Sequence, residues 1–158
     1  RTLPEENFLP IQKAMKAAGV IPLVNDVYLL EKEGNTIAFA GIDDYYNGYP
    51  DPERLSQLSQ DADFIVFLPH TPDVFPELFS LPQPPFFDLA LCGHTHGGQV
   101  VFFGYAPKTS TECGNRYRSG WYHENGTDIL VSNGVGTSDL PVRLGARPQF
   151  HLITLQSK

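Results

Sequence analysis

Short apolar runs separated by polar turns predict a chain of alternating strands and helices. Phe64–Leu68 is continuously apolar, as is typical of a strand covered on both faces of a sheet, and Leu89–Cys92 is a second such run. Apolar residues at helical spacing predict a helix over 7–18 that stops at Gly19, and Asp51 followed by Pro52 predicts another helix start. Further predicted elements are strands at 20–24, 27–31, 36–41, 99–103, 129–132 and 150–155, a helix from 71 to about 80 and a loop over 104–120.

This order of elements predicts a mixed α/β fold, because strands and helices alternate without a regular strand-helix-strand series. With 158 residues the chain suits one domain with a sizeable core.

Composition narrows the classes of partner. The net charge of −7 disfavours nucleic acid, since binding to a phosphate backbone needs a basic surface, and no apolar run is long enough to span a membrane. Two cysteines make no disulfide framework, and Cys92 in a predicted strand reads as a small buried apolar residue.

The first candidate metal-binding residues come directly after the predicted 89–92 strand, where two histidines two residues apart lie among glycines. Along an extended chain His94 and His96 are about 6–7 Å apart, and ions of two-metal sites lie about 3.5–4 Å apart, so each imidazole is able to reach a different ion. The competing interpretation is a glycine-rich turn with two surface histidines.

A third histidine follows the neighbouring apolar strand. His70 comes two residues after Leu68, and carboxyl ends of parallel strands share one edge of a sheet, where such folds bind ligands. Asp43 and Asp44 follow the predicted strand 36–41 and are candidate carboxylates for the same site, against the alternative of a solvated turn.

Two motifs of this chain resemble those of a known family. The string at 93–99, Gly-His-Thr-His-Gly-Gly-Gln, preceded by Pro-His-Thr-Pro-Asp at 69–73, resembles the calcineurin-like metallophosphoesterases, and most closely their bacterial branch of small phosphodiesterases. The segments 41–44 and 131–143 are similar to the middle and the C-terminal signature of that branch, so the resemblance spans nearly the whole chain.

The resemblance implies the C-terminal half of a four-layer α/β/β/α sandwich, as one partial domain over 1–158. It implies two divalent metal ions (Mn, Fe or Zn), with His70 and His94 holding the second ion and His96 the first. The family's D-x-H, G-D-x-x-D and G-N-H-D/E strings are missing, so the bridging aspartate and the Asn-His pair are not in this chain. We therefore expect a chain that lacks the N-terminal half and has negligible phosphodiesterase activity alone.

Partners and substrate follow from the same resemblance. We expect a small phosphoester or a lipid-linked phosphate as substrate, with Arg143 and Asp43 as candidate substrate contacts; solvated loop residues are the alternative. A lone half exposes an apolar sheet face, so we expect either the missing half or a second copy to cover it. The rival hypothesis is an inert fragment or assembly module whose histidines are structural or bind a single metal. The sequence carries no targeting signal, and a membrane-associated or exported location is an expectation for a longer protein only.

Overall fold

A computed structural model describes residues 9–156 of the chain. The elements in chain order are α1 Leu9–Ala17, β1 Asp26–Lys32, β2 Asn35–Gly41, α2 Pro52–Ser59, β3 Phe64–Leu68, a 3-10 helix Pro72–Val74, α3 Phe75–Ser80, β4 Leu89–Cys92, a 3-10 helix His96–Gly98, β5 Gly120–Glu124 and β6 Thr127–Val131.

These strands form one six-stranded sheet in the order β1-β2-β3-β4-β6-β5. β2, β3, β4 and β6 run parallel, and β1 and β5 are antiparallel at the two edges. The mixed α/β class expected from the sequence is confirmed. Because the four central strands are parallel, their carboxyl ends all lie at the same end of the sheet.

Local sequence explains the connections. Glu33 and Gly34 both have positive φ, as a two-residue hairpin turn between β1 and β2 requires. Asp51 caps α2 as predicted, its carboxylate accepting a hydrogen bond from the backbone N–H of Arg54 at 2.9 Å.

One face of the sheet carries the core. Phe67, Ala90 and Ile129 project from β3, β4 and β6, and Leu55 of α2 and Phe75 of α3 pack over them. Stacked and edge-to-face ring pairs join Phe75 to the phenylalanines and tyrosine around it. The two helices therefore cover this face.

The opposite face is also apolar, with a buried centre at Val66 and Leu89 and exposed margins. The strand register sets Tyr28, Phe39, Val66 and Leu89 in one row across β1 to β4. At the far edge Trp121 pairs with Leu130 and is 58% exposed. Tyr28 is exposed too, so the margins of this face meet solvent.

Three predicted strands are wrong. Residues 20–24 form none, and a Cβ on Gly41 would lie 2.3 Å from the Leu23 Cβ, so this segment crosses the end of β2. Residues 99–103 make only isolated bridges, because Gln99 and Phe103 have positive φ and break the extended chain. Residues 150–155 pair with no strand in the described part of the chain.

The sequence analysis missed one strand, β5, for which no strand was predicted. The dipeptide Asn125-Gly126, with positive φ at both residues, turns β5 into β6 and was the available signal. The start of the predicted 7–18 helix lies outside the described residues. No helix among residues 9–156 has the length and apolar character needed to cross a membrane.

Candidate metal centre at the carboxyl ends of the strands

Two adjacent parallel strands, β3 and β4, bring His70 and His94 together. Each histidine follows its strand by two residues, His70 after β3 and His94 after β4. The backbone N–H of Gly93 donates to the carbonyl of His70 at 3.1 Å, which ties the two exit loops together. Two loops that leave one sheet edge side by side thus present two imidazoles to the same space.

Two ring nitrogens of this pair converge. Nδ1 of His94 lies 3.0 Å from Nε2 of His70, with ring centroids 4.8 Å apart. Two imidazole nitrogens bound to one ion at about 2.0–2.1 Å, with an angle of about 90–110° between them, lie about 2.9–3.4 Å from each other. The spacing therefore fits two ligands of a single ion, and without an ion it also fits a hydrogen bond from a protonated Nε2 of His70 to the lone pair on Nδ1 of His94.

A backbone carbonyl selects the nitrogen that His94 presents. Nε2 of His94 lies 3.0 Å from the carbonyl oxygen of Ser110. Because a carbonyl only accepts, the proton of a neutral His94 sits on Nε2 and the lone pair is on Nδ1, facing His70. Ser110 belongs to the 104–119 excursion, which sequence reasoning assigned only as a loop.

His96 lies apart from this pair. Its Nδ1 donates to the carbonyl of Gly136 at 3.2 Å, which leaves the lone pair on Nε2. Within residues 9–156, no three side chains of the His, Cys, Asp and Glu types are grouped to hold one ion. The described residues thus fit part of a metal shell, two converging nitrogens plus a separate third, and do not complete one.

The backbone around these histidines is strained. His94, His96 and Gln99 have φ of 65°, 49° and 51°, a region that side chains other than glycine rarely adopt. Such residues cost about 1–3 kcal/mol each and cluster at functional sites. Thr95 between the histidines is buried, and its hydroxyl donates to the carbonyl of Arg118 at 2.8 Å, which anchors the loop.

Gly97 leaves room for a buried amide. A Cβ at Gly97 would lie 2.4 Å from Oδ1 of Asn133, and Gly97 has φ of 63°. That Oδ1 has no hydrogen-bond partner among the described residues. Close packing of Gly97 on Asn133 therefore joins the histidine loop to the loop after β6.

The electrostatics favour a neutral His70. Partial burial lowers the pKa of His70, and the neighbouring His94 lowers it further, while Asp44 acts in the opposite direction. A neutral imidazole is the form that binds a metal ion.

Asp43 and Asp44 are used within their own turn. The Asp43 carboxylate accepts backbone hydrogen bonds from Asp44 at 2.8 Å and Tyr49 at 2.9 Å. Oδ1 of Asp44 accepts one from the N–H of Asn47 at 2.7 Å. These contacts are those of the solvated-turn alternative; a role for Asp43 in binding substrate stays a prediction.

Arg143 lies against the carbonyls of the histidine loop and the loop after β6. Its guanidinium donates to the carbonyl of His96 at 3.0 Å and to that of Asn133 at 2.7 Å. It also donates through Nε to Gly136 at 2.9 Å. A contact between Arg143 and phosphate stays a prediction.

Asp73 is a residue for which the sequence analysis gave no role. The buried carboxylate accepts hydrogen bonds from the hydroxyls of Tyr46 and Thr71 and, at 2.8 Å, from the N–H of Cys113. Burial by itself would raise the pKa of Asp73, but the hydrogen bonds from Tyr46 and Cys113 outweigh it and hold that pKa below its ordinary value. Nothing in the spacing of these residues signals the contact, since it joins three loops distant in sequence.

Neither cysteine has the character of a nucleophile. Cys92 is buried as predicted, and burial raises the pKa of its thiol to about 12. Burial and the hydrogen bond to Asp73 raise the pKa of Cys113 to about 12 as well.

An open cavity of about 450 Å³ adjoins His70 at the ends of the strands. Its lining is mainly apolar, with Leu68, Leu91 and Leu130 from three adjacent strands, and Ile153 and His151 from the C-terminal segment.

Comparison with curated proteins finds bacterial relatives. The chain is 35% identical over 150 residues to the uncharacterized metallophosphoesterase YkuE of Bacillus subtilis, a match that covers 93% of this chain and 51% of the relative. It is 30% identical over 155 residues to the phosphodiesterase YaeI of Escherichia coli, covering 96% of this chain and 53% of the relative. The chain spans about half the length of the curated relatives it matches.

No family model matches the chain. Among solved structures, the sulfate thiohydrolase SoxB of Thermus thermophilus aligns with 71% of this chain and 20% of its own, at a TM-score of 0.42 and 17% identity.

Proposed function

Because this chain belongs to the metallophosphoesterase superfamily, we propose that the protein containing it hydrolyses phosphomonoesters or phosphodiesters at a dinuclear metal centre. The observation that carries the proposal is the 3.0 Å separation of His70 Nε2 and His94 Nδ1 at the carboxyl ends of adjacent parallel strands. In this proposal His70 and His94 hold one ion, and His96 contributes Nε2 to the other.

Divalent ions in such a centre supply Lewis-acid stabilisation of phosphate oxygens and activation of water. The residues of this chain orient the ligands. The carbonyls of Ser110 and Gly136 accept the single ring N–H of neutral His94 and His96, respectively, so each imidazole keeps one tautomer and one direction. The strained backbone at 94 and 96 holds both rings at the sheet edge, where a substrate can approach.

The chain matches about half the length of its relatives, so the activity is proposed for a protein that also has a counterpart of their other half. The carboxylate and asparagine ligands are assigned to that other half. For this chain alone we expect negligible phosphodiesterase activity.

We propose a small phosphoester or a lipid-linked phosphate as substrate, and Mn, Fe or Zn as the metal. The net charge of −7 disfavours long nucleic acids.

As a partner we propose a surface that packs on the sheet face carrying Tyr28, Phe39 and Trp121, either the counterpart of the other half or a second copy of this chain. An apolar sheet face with exposed margins supports this, because such faces are normally packed against another layer.

The test measures hydrolysis of bis(p-nitrophenyl) phosphate with added Mn²⁺, Fe²⁺ or Zn²⁺, by this chain and by a longer protein that also contains the counterpart of the relatives' other half. We expect turnover by the longer protein only. His94→Gln should abolish it, and the control Gln57→Ala should not, because Gln57 is exposed on α2, whose Leu55 packs on the face of the sheet opposite to the proposed partner surface.

Mn²⁺-dependent turnover by this chain alone would refute the assignment of the missing ligands. Absence of turnover in the longer protein, together with one bound ion held by His70 and His94, would favour the rival function of a single-metal or assembly module. The absence of a three-residue metal-binding group among residues 9–156 is the observation that favours this rival.

A further inference from the structure

We propose that Arg143 is a positioning residue that fixes the tautomer of His96, so that Nε2 of His96 is the nitrogen offered to a metal ion. This inference rests on the proposed function for its purpose, but the positioning itself is a property of the described residues.

The guanidinium of Arg143 lies within a ring of backbone carbonyls. Its Nε donates to Gly136, one terminal nitrogen donates to His96 and Ala146, and the other donates to Asn133, Gly134 and Gly136. A guanidinium has five N–H donors in a fixed planar fork, and here all five face carbonyl oxygens.

One of these carbonyls is also the partner of the His96 ring. Nδ1 of His96 donates to the Gly136 oxygen at 3.2 Å, and the same oxygen accepts from two nitrogens of Arg143. Arg143 therefore holds the acceptor on one side while binding the carbonyl of His96 itself on the other. Replacing the guanidinium of Arg143 therefore removes its hydrogen bonds to both carbonyls, that of Gly136 and that of His96.

The loop that carries Gly136 has little else to hold it. Residues 135–142 are exposed, and the described polar contacts of this stretch beyond Arg143 and His96 are two hydrogen bonds between Gln99 and Ser138, an exposed ion pair between Lys108 and Asp139 at 3.6 Å, and local turn bonds. Without Arg143 the Gly136 carbonyl loses its fixed direction, and the His96 ring loses the bond that keeps its proton on Nδ1.

Direct phosphate binding, the role predicted for Arg143 from the sequence, is the competing hypothesis. A phosphate needs free N–H donors, and those of Arg143 are satisfied by carbonyls, so binding would require breaking them. Arg147, four residues later, is exposed and makes no side-chain hydrogen bond to another described residue. It is the matched control.

The test records the histidine tautomers by long-range ¹H–¹⁵N NMR of the chain with ¹⁵N-labelled imidazoles, for wild type, Arg143→Met, Arg143→Lys and Arg147→Met. In wild type and in R147M we expect His96 with its proton on Nδ1. In R143M, and in R143K, which keeps the charge but loses the fork, we expect a mixture of tautomers. His94, held by Ser110, serves as an internal reporter and should keep its proton on Nε2 in all four.

Zn²⁺ affinity of the longer protein is the second readout, by calorimetry. R143M should lower the affinity about 10- to 100-fold, as losses of partners behind metal ligands do, and R147M should not. An unchanged His96 tautomer in both Arg143 variants would overturn the proposal. So would weaker binding of inorganic phosphate in R143M with unchanged tautomer and Zn²⁺ affinity, since that result describes a phosphate contact.

Failure of the two proposals is distinguishable. If wild-type longer protein binds no Zn²⁺ while the His96 tautomer responds to R143M as expected, the metal function is wrong and the positioning role of Arg143 stands. If R143M does not fold, R143K decides the tautomer result, with the His94 signal reporting that the site is intact.

Discussion

The hydroxyl of Tyr46 donates a hydrogen bond to the buried carboxylate of Asp73, while the Tyr46 ring lies 5.8 Å from the imidazole of His94 between centroids. Asp73 also binds the N–H of Cys113, so one carboxylate joins the loop after β2, the turn after β3 and the long excursion before β5. The loops around the His70–His94 pair are thus connected through a residue outside the pair.

Asp73→Asn should destabilise the chain by about 2–3 kcal/mol at pH 7, because hydrogen bonds to a charged acceptor are replaced by weaker ones at a buried position. The folded-state pKa of Asp73 is lowered, so this stability is present above the unfolded value of about 3.9 and is lost as pH falls through the folded value. Urea unfolding of wild type and variant at pH 7 and pH 3 should show the difference shrinking in acid.

Asp61→Asn is the control for that experiment, since Asp61 is exposed and has no hydrogen bond to another described residue. It should change the free energy of unfolding by less than about 0.5 kcal/mol at either pH. An Asp73→Asn effect of equal size at pH 7 and pH 3 would contradict the role given to the carboxylate charge.

Gly97→Ala should destabilise the chain by about 2–5 kcal/mol, because the new Cβ meets Asn133 and the residue has positive φ. Gly114→Ala is the matched control, with φ of 58° and nothing within 4 Å of its Cβ, and should cost only about 1–2 kcal/mol. Thermal unfolding measures both. Adding Asn133→Ala to Gly97→Ala should recover part of the loss, and strict additivity of the two changes would exclude the proposed collision.

Both thiols should react slowly in the native chain. Burial raises the pKa of Cys92 and of Cys113 to about 12, so the thiolate fraction at pH 8 is small. Reaction with a disulfide reagent at pH 8 should be at least about 100-fold slower than for a free cysteine, and unfolding in urea should restore the ordinary rate. A fast phase from either cysteine in the native chain would show that it is accessible.

The open sheet face should drive association. Light scattering after size exclusion should give a mass above the 17.6 kDa of one chain, and Trp121→Gln should shift it toward the monomer. Tyr49→Gln is the control, because Tyr49 is also an exposed aromatic residue, 76% against 58% for Trp121, but lies in the loop before α2. A clean monomer of the wild-type chain would count against a second copy on this face.

Much of the fold could be predicted from local pattern. The apolar runs of β3 and β4, the strands predicted at 27–31 and 36–41 and the Asp51 cap are all set by neighbours within a few residues, and each appears where expected. The predictions that failed concern segments such as 150–155, whose apolar residues suit a strand but pair with no strand in the described part of the chain. Strand pairing depends on distant partners, and no local pattern contains that information.

The candidate site likewise has features set by local sequence and features set by contacts between distant residues. The sequence by itself determined that His70, His94 and His96 follow two buried strands, because strand and turn signals are local. Only the tertiary structure decided that His70 and His94 converge to 3.0 Å, that His96 turns away to Gly136, and that Arg143 and Asp73 hold the loops around them. Those contacts join residues 24 to 47 positions apart, and their geometry exists only once the parallel strands have brought the loops to one edge of the sheet.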